Sequence, residues 1–127
     1  MSGHSYVSLL TDYGTRDEFV ELRREQRLVG LAQLPAALDA LGDRPLYLTV
    51  DLDWFDPAVL PGTGTPDPGG FSWHDFARVV AALHGRRLVA ADVVELAPAL
   101  DPSDVSSVLA AKVVRSLILS LAAAPAP

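Results

Sequence analysis

The sequence contains no cysteine, which excludes disulfides, thiolate metal ligands and cysteine nucleophiles in one step. Its first residues show no basic stretch followed by a long apolar core, so they do not read as a secretory signal, and a cytoplasmic location is the expectation. Positive charge is scarce: ten Lys and Arg against sixteen Asp and Glu give a formal net charge of −6. A phosphate backbone would be repelled, so nucleic acid is not an expected partner, whereas a cationic small molecule would be attracted. Between Pro45 and Arg78 there is no Lys or Arg at all.

What that basic-free interval does contain is a strand-like run that ends in acids and a Gly/Pro-rich loop. Leu46 to Leu52 is apolar or β-branched apart from Asp51, as a strand buried on both faces tends to be. Asp51 and Asp53 fall at its carboxyl end, where ligands bind in open parallel sheets. Period-two geometry puts both side chains on one side of an extended backbone. Two anions so placed repel, and the conflict is relieved by a shared proton, a basic partner or a hard cation. With no Lys or Arg nearby, a metal is the natural third party; the simpler alternative is a pair of surface acids capping the next element. In the loop that follows, Pro57, Pro61, Pro66 and Pro68 fix their φ angles while Gly62, Gly64, Gly69 and Gly70 admit conformations closed to other residues.

The rest of the chain alternates strand and helix. Tyr6 to Leu10 reads as a short strand, Asp17 to Arg27 as a helix, and Leu34 to Leu41 as a helix with Pro35 in its first turn and Gly42 beyond its end. Ser72 is a good N-cap for a helix over Trp73 to Leu83, with Phe76, Val79, Val80 and Leu83 inward and Gly85 as its stop. His74 and His84 read as exposed or capping, since neither has a partner at ligand spacing. Leu88 to Val94 is a further strand, and Glu95 stands at its carboxyl end as Asp51 and Asp53 do at theirs, so that three acids are expected at one sheet edge. Asp92, inside that strand, is expected to bind backbone groups or a loop. Ser103 or Asp104 begins a last helix to about Leu121. Its Lys112, Arg115 and Ser116 form a polar face, so it is a sheet-covering helix and not a membrane span. Residues 122–127 read as a frayed tail. One domain is expected, since 127 residues with 50% hydrophobic content suffice for one core.

The runs Asp51-Leu-Asp-Trp-Phe-Asp-Pro, Pro61-Gly-Thr-Gly-Thr-Pro-Asp-Pro-Gly-Gly and Asp92-Val-Val-Glu-Leu-Ala-Pro resemble the ureohydrolase family of arginases and agmatinases. The loop is more similar to the agmatinase form, and Gly14-Thr-Arg-Asp-Glu-Phe19 is similar to the agmatinase segment Gly-Thr-Arg-Glu-Glu-Phe. The resemblance covers about Gly14 to Leu121 and corresponds to the later part of the family's domain. It implies an α/β fold in which a partial parallel sheet flanked by helices forms the later portion of an arginase-like three-layer α/β/α sandwich. It also implies Mn²⁺-dependent hydrolysis of a guanidino compound, agmatine above all, to urea and an amine.

By the same resemblance Asp51 is a bridging ligand and Asp53 a terminal ligand of a binuclear Mn²⁺ site. Glu95 holds the substrate guanidinium with Thr65 beside it, Asp56 shapes the turn before the loop, and homo-oligomers are the expected assembly. The family's earlier His and Asp-x-His-x-Asp ligands have no counterpart here; His4 in Gly3-His4-Ser5 reads as an ordinary N-terminal residue. The expectation is therefore a partial metal site and a chain inactive in isolation. Two other readings compete: a non-catalytic oligomer partner that keeps the family's fold, and a haloacid-dehalogenase-like phosphatase. The phosphatase motif wants Thr or Val where Phe55 stands.

Overall fold

The computed structural model describes residues 30–125. The expected strand at Tyr6 to Leu10, the helix at Asp17 to Arg27, His4 and the Gly14–Phe19 segment lie outside the described residues. The chain divides into two compact units between Gly42 and Asp43. In the first, a 3-10 turn at Leu31–Gln33 leads into α1 (Leu34–Leu41). Pro35 stands in its first turn, where a missing N–H costs nothing, and Leu34 and Leu38, one turn apart, are buried. Gly42 closes the helix with φ 61°, a left-handed conformation in which a Cβ would be strained.

The second unit is a β-α-β arrangement. Strand β1 (Leu46–Asp51) pairs in parallel with β2 (Leu88–Val94), and α2 (Trp73–Leu83) lies on the connection between them. A register irregularity falls between Leu46 and Tyr47, after which Tyr47 pairs with Ala90, Thr49 with Asp92 and Asp51 with Val94. Alternation therefore puts Tyr47, Thr49 and Asp51 on one face and Leu48 and Val50 on the other, where Val50 is buried. The architecture is the expected α/β class, with two parallel strands among the described residues.

Helix α2 begins where Ser72 predicts it, and the start is stronger than a lone cap. Ser72 Oγ accepts from Asp75 N–H at 3.3 Å, and the Asp75 carboxylate accepts from Ser72 N–H at 2.9 Å, which completes a capping box. Phe76, Val79 and Leu83 are buried as expected, while Val80 is only half-buried. His84 is the C-cap residue, His74 is exposed, and Gly85 takes φ 75°.

Helix α3 (Val105–Ala122) packs on β2 and α2. It starts where expected, with Asp104 as the N-cap residue and Ser103 Oγ accepting from Val105 N–H at 3.4 Å, but the Asp104 side chain does not do the capping. Asp104 adopts φ 62° and makes no side-chain cap bond; the buried Asp101 carboxylate instead reaches forward to Ser106 N–H at 2.8 Å and Ser103 N–H at 3.0 Å. Hydrogen bonds from the Ser103 and Ser106 hydroxyls first, and these backbone donors second, hold the Asp101 carboxyl well below the usual carboxylate range. By length and composition alone α3 could cross a membrane. Here Ala110, Val113 and Leu117 form a buried seam, Lys112 Nζ sits 3.8 Å from the centroid of the Trp73 ring, and the helix serves as the sheet-covering element anticipated. It runs through Ala122, one residue into the segment expected to fray.

The core of this unit is centred just past β1. Leu52, Phe55 and Leu60 are completely buried, as is Val113 of α3, and the Phe55 and Phe76 rings lie 5.9 Å apart. Phe55→Ala is expected to cost about 3–5 kcal/mol in urea unfolding, because a fully packed ring leaves a cavity. Val108→Ala, at an exposed position, is expected to change stability by no more than about 0.5 kcal/mol. Equal costs for the two would displace the core from Phe55.

Candidate active site

The strand that carries the acids breaks as soon as the first is reached. β1 ends at Asp51, and Leu52–Trp54 form a 3-10 turn in place of the extended Leu52 expected. The cause is local: Asp51 Oδ1 accepts the Asp53 N–H at 3.1 Å, so the carboxylate caps the turn that follows it. With the turn, Leu52, Trp54 and the following Phe55 are all buried, whereas an extended continuation would have put Phe55 on the face opposite Leu52 and Trp54. Asp53 is thus presented from a turn rather than from the next same-side position of a strand.

The two carboxyls nevertheless remain close. Desolvation, a shared hydrogen bond with Asp53 and the negative charges of Asp53 and Glu95 push the Asp51 carboxyl up to about 6, against an ordinary value of 3.8. Glu95 reaches this neighbourhood because Asp51 pairs with Val94, the residue before it. Glu95 itself adopts φ 66°, a left-handed conformation uncommon for a residue with a Cβ. The acids of the two strand ends therefore meet electrostatically, as expected, but they do not form one tight cluster. Among the described residues no group of three or more His, Asp or Glu side chains is placed to hold a metal ion.

The loop between Asp56 and Phe71 folds back against the end of β1. Asp56 Oδ1 accepts from Ala58 N–H and Oδ2 from Gly69 N–H, each at 2.8 Å, so one carboxylate closes both ends of the loop and is held below its ordinary value by those donors. The expected role of Asp56 is the one observed. Phe71 N–H donates to Trp54 O at 3.0 Å and Asp56 N–H to Phe71 O at 2.9 Å, and the Trp54 and Phe71 rings stack at 4.2 Å. The backbones approach so closely that a Cβ on Gly70 would meet Asp56 N at 2.6 Å.

Thr65, expected beside Glu95, donates its hydroxyl to Asp53 Oδ2 at 2.8 Å. A hydroxyl has one proton to give, so in this arrangement it orients the aspartate and not the glutamate. Asp92 also differs from expectation: Oδ2 accepts the Tyr47 hydroxyl across the strands, and Oδ1 is buried without a partner. The Tyr47 phenol is correspondingly harder to ionise.

As a donor set, Asp51 and Asp53 offer hard oxygens with no cation from the surrounding sequence, which suits Mn²⁺ or Mg²⁺ better than a soft metal. They fit one wall of such a site; two carboxylates leave most of a six-coordinate shell to other ligands.

The family model for the arginase family matches residues 19–120. The chain belongs to the arginase family. An agmatinase from Photorhabdus laumondii is 35% identical over 117 residues, covering 88% of this chain and 37% of the relative. Among solved structures, the agmatine ureohydrolase of Thermoplasma volcanium superposes with a TM-score of 0.68 at 30% identity, covering 85% of this chain and 39% of that one. Proclavaminate amidino hydrolase from Streptomyces clavuligerus gives 0.67 at 34% identity, covering 85% and 35%. This arginase-family chain spans between 20% and 37% of the length of the curated relatives it matches, in their C-terminal portion.

Asp51 binds its proton more tightly folded than unfolded, so in the metal-free protein stability falls as pH rises from 3.8 through about 6. Carboxyl-carbon NMR is expected to place its midpoint near 6, and Asp53→Asn to lower it by removing a like charge. Asp51→Asn should flatten the dependence of Tm on pH across that window; an unchanged slope would assign the proton to another group. Gly70→Ala is expected to cost about 1–3 kcal/mol, since the added methyl must displace backbone, and a neutral outcome would mean that the loop is not closed as described.

Proposed function

We propose that this chain carries the later-strand half of an agmatinase-type active site. Asp51 and Asp53 hold Mn²⁺, and Glu95 receives the guanidinium of a linear guanidino substrate such as agmatine. The observation that carries the reading is the gathering of Asp51, Asp53 and Glu95 at two adjacent strand ends with no basic partner among the described residues, where desolvation first and the neighbouring acids second push the Asp51 carboxyl up to about 6. A structural ion-pair network would place Lys or Arg there; an active-site edge leaves the negative charge for a ligand.

Each residue has a distinct task. Asp51, pinned through one oxygen by the Asp53 amide, presents the other toward a cation. Asp53 is pinned in the same way by Thr65. Glu95 is exposed just past the end of β2, where its two oxygens can accept paired N–H bonds from a planar guanidinium. The excess of acidic side chains draws a cationic substrate toward this edge. What a bound Mn²⁺ pair supplies is activation of water for attack on the guanidinium carbon, the products being urea and an amine. Two aspartates do not complete a binuclear shell, so the isolated chain is proposed to bind metal weakly and not to turn over. Membership in the arginase family favours this over the phosphatase alternative. A cytoplasmic location belongs to the same proposal.

A second reading, association with further copies of the chain, is favoured by the outer surface of α3. Val108 is 68% exposed, Ile118 58% and Leu119 52%, more apolar surface than a helix face turned to water normally carries.

Isothermal titration with Mn²⁺ is expected to give weak binding that Asp51→Ala/Asp53→Ala abolishes, with no urea from agmatine. Binding unaffected by the double substitution would overturn the site. Urea release dependent on Asp51 would overturn the half-site reading in favour of a site completed between copies, and light scattering would then report an oligomer.

A further inference from the structure

The Thr65 hydroxyl is committed to Asp53 rather than to Glu95, and the loop that delivers it is held from several directions. Pro66 confines the Thr65 backbone to extended conformations. Upstream, Gly62 N–H donates to Ser106 Oγ at 2.7 Å, and Gly62 O accepts from Ala97 N–H at 2.7 Å, so the loop is tied both to the start of α3 and to the segment that follows Glu95. A Cβ on Gly62 would meet Ser106 Cβ at 2.7 Å, so that contact admits only glycine. Downstream, Asp56 holds Gly69. A short exposed loop would ordinarily let a threonine sample several rotamers and partners; one tied at Gly62 and Gly69 presents the hydroxyl at one place.

We propose that Thr65 is a positioning residue for Asp53: its hydroxyl fixes Oδ2, 2.8 Å away, and so turns the other oxygen toward the cation shared with Asp51. The proposal rests on the reading of Asp51 and Asp53 as cation ligands. It assigns the threonine to the metal side of the site, with Glu95 oriented independently by the left-handed turn at the end of β2. The Gly62 clamp becomes the means by which α3, through Ser106 and the Asp101 carboxylate that holds its amide, keeps that hydroxyl in place.

Thr65→Val removes the hydroxyl at nearly constant shape, and Thr65→Ser restores it; the position is exposed, so both variants should fold with unchanged Tm. In the metal-free protein, the Asp53 carboxyl carbon should show an H₂O/D₂O isotope shift in the wild type and in Thr65→Ser that is lost in Thr65→Val. Mn²⁺ affinity, read by electron paramagnetic resonance, should fall about tenfold in Thr65→Val and recover in Thr65→Ser, the scale typical of a lost partner to a metal ligand. An isotope shift that responds on Glu95 instead, or none in the wild type, overturns the proposal. Equal Mn²⁺ affinities in wild type and Thr65→Val overturn it too, leaving the bond as a loop staple. A wild type that shows the isotope shift yet binds no Mn²⁺ defeats the underlying metal reading, and the positioning role with it.

Discussion

Everything at the candidate site follows from negative charge gathered at the ends of two paired strands. Asp51 and Asp53 come from one strand end and the turn after it, and Glu95 follows the residue paired with Asp51. No Lys or Arg lies between Pro45 and Arg78 to neutralise them. Folding partly desolvates Asp51 and brings it close to Asp53 and Glu95, and both effects, the first the larger, push its carboxyl up to about 6. A fold optimised for stability alone would separate or pair them; that they have no basic partner among the described residues is what supports the proposal of a cation site here.

The structure meets this repulsion with rigidity. A polar side chain or backbone amide pins one oxygen on each aspartate, and Asp56 ties the two ends of the Gly/Pro loop. The contact of Gly62 with Ser106 anchors the middle of the loop to α3. The hydrophobic work is done directly beneath, where Phe55, Leu52 and Leu60 fill the core. Site and core are thus the two faces of one chain reversal. Apolar residues of the 3-10 turn point inward, and the acidic ones remain at its edge.

Much of this arrangement is legible in the residues. The strands at Leu46 and Leu88 announce themselves by apolar, β-branched runs, α2 by Ser72 and its helical spacing, and α1 by Pro35 and Gly42. The acids at the strand ends follow from the same patterns, and the structural role of Asp56 from the family resemblance. What the pattern misses depends on tertiary contacts. The 3-10 turn at Leu52 goes with the burial of both Trp54 and its neighbour Phe55, which strand alternation would have put on opposite faces, and with the Asp51 carboxylate that caps it. The side-chain bonds to the first N–H groups of α3 come from Asp101 and Ser103, while Asp104, at the N-cap position, is turned into a left-handed conformation and makes none. Thr65 goes to Asp53 because the loop is held at Gly62 and Gly69, a constraint with no local signature. Glu95 at φ 66° is likewise unannounced, since glutamate is not a residue that marks left-handed turns.

Anomalous diffraction at the manganese absorption edge, from crystals of the chain grown with Mn²⁺, tests the central claim most directly. The account predicts an anomalous peak within coordination distance, about 2.0–2.6 Å by the range for hard divalent cations, of carboxylate oxygens from both Asp51 and Asp53. A map with no peak at these residues at saturating Mn²⁺, or with an Arg or Lys side chain filling the space between them, would contradict it.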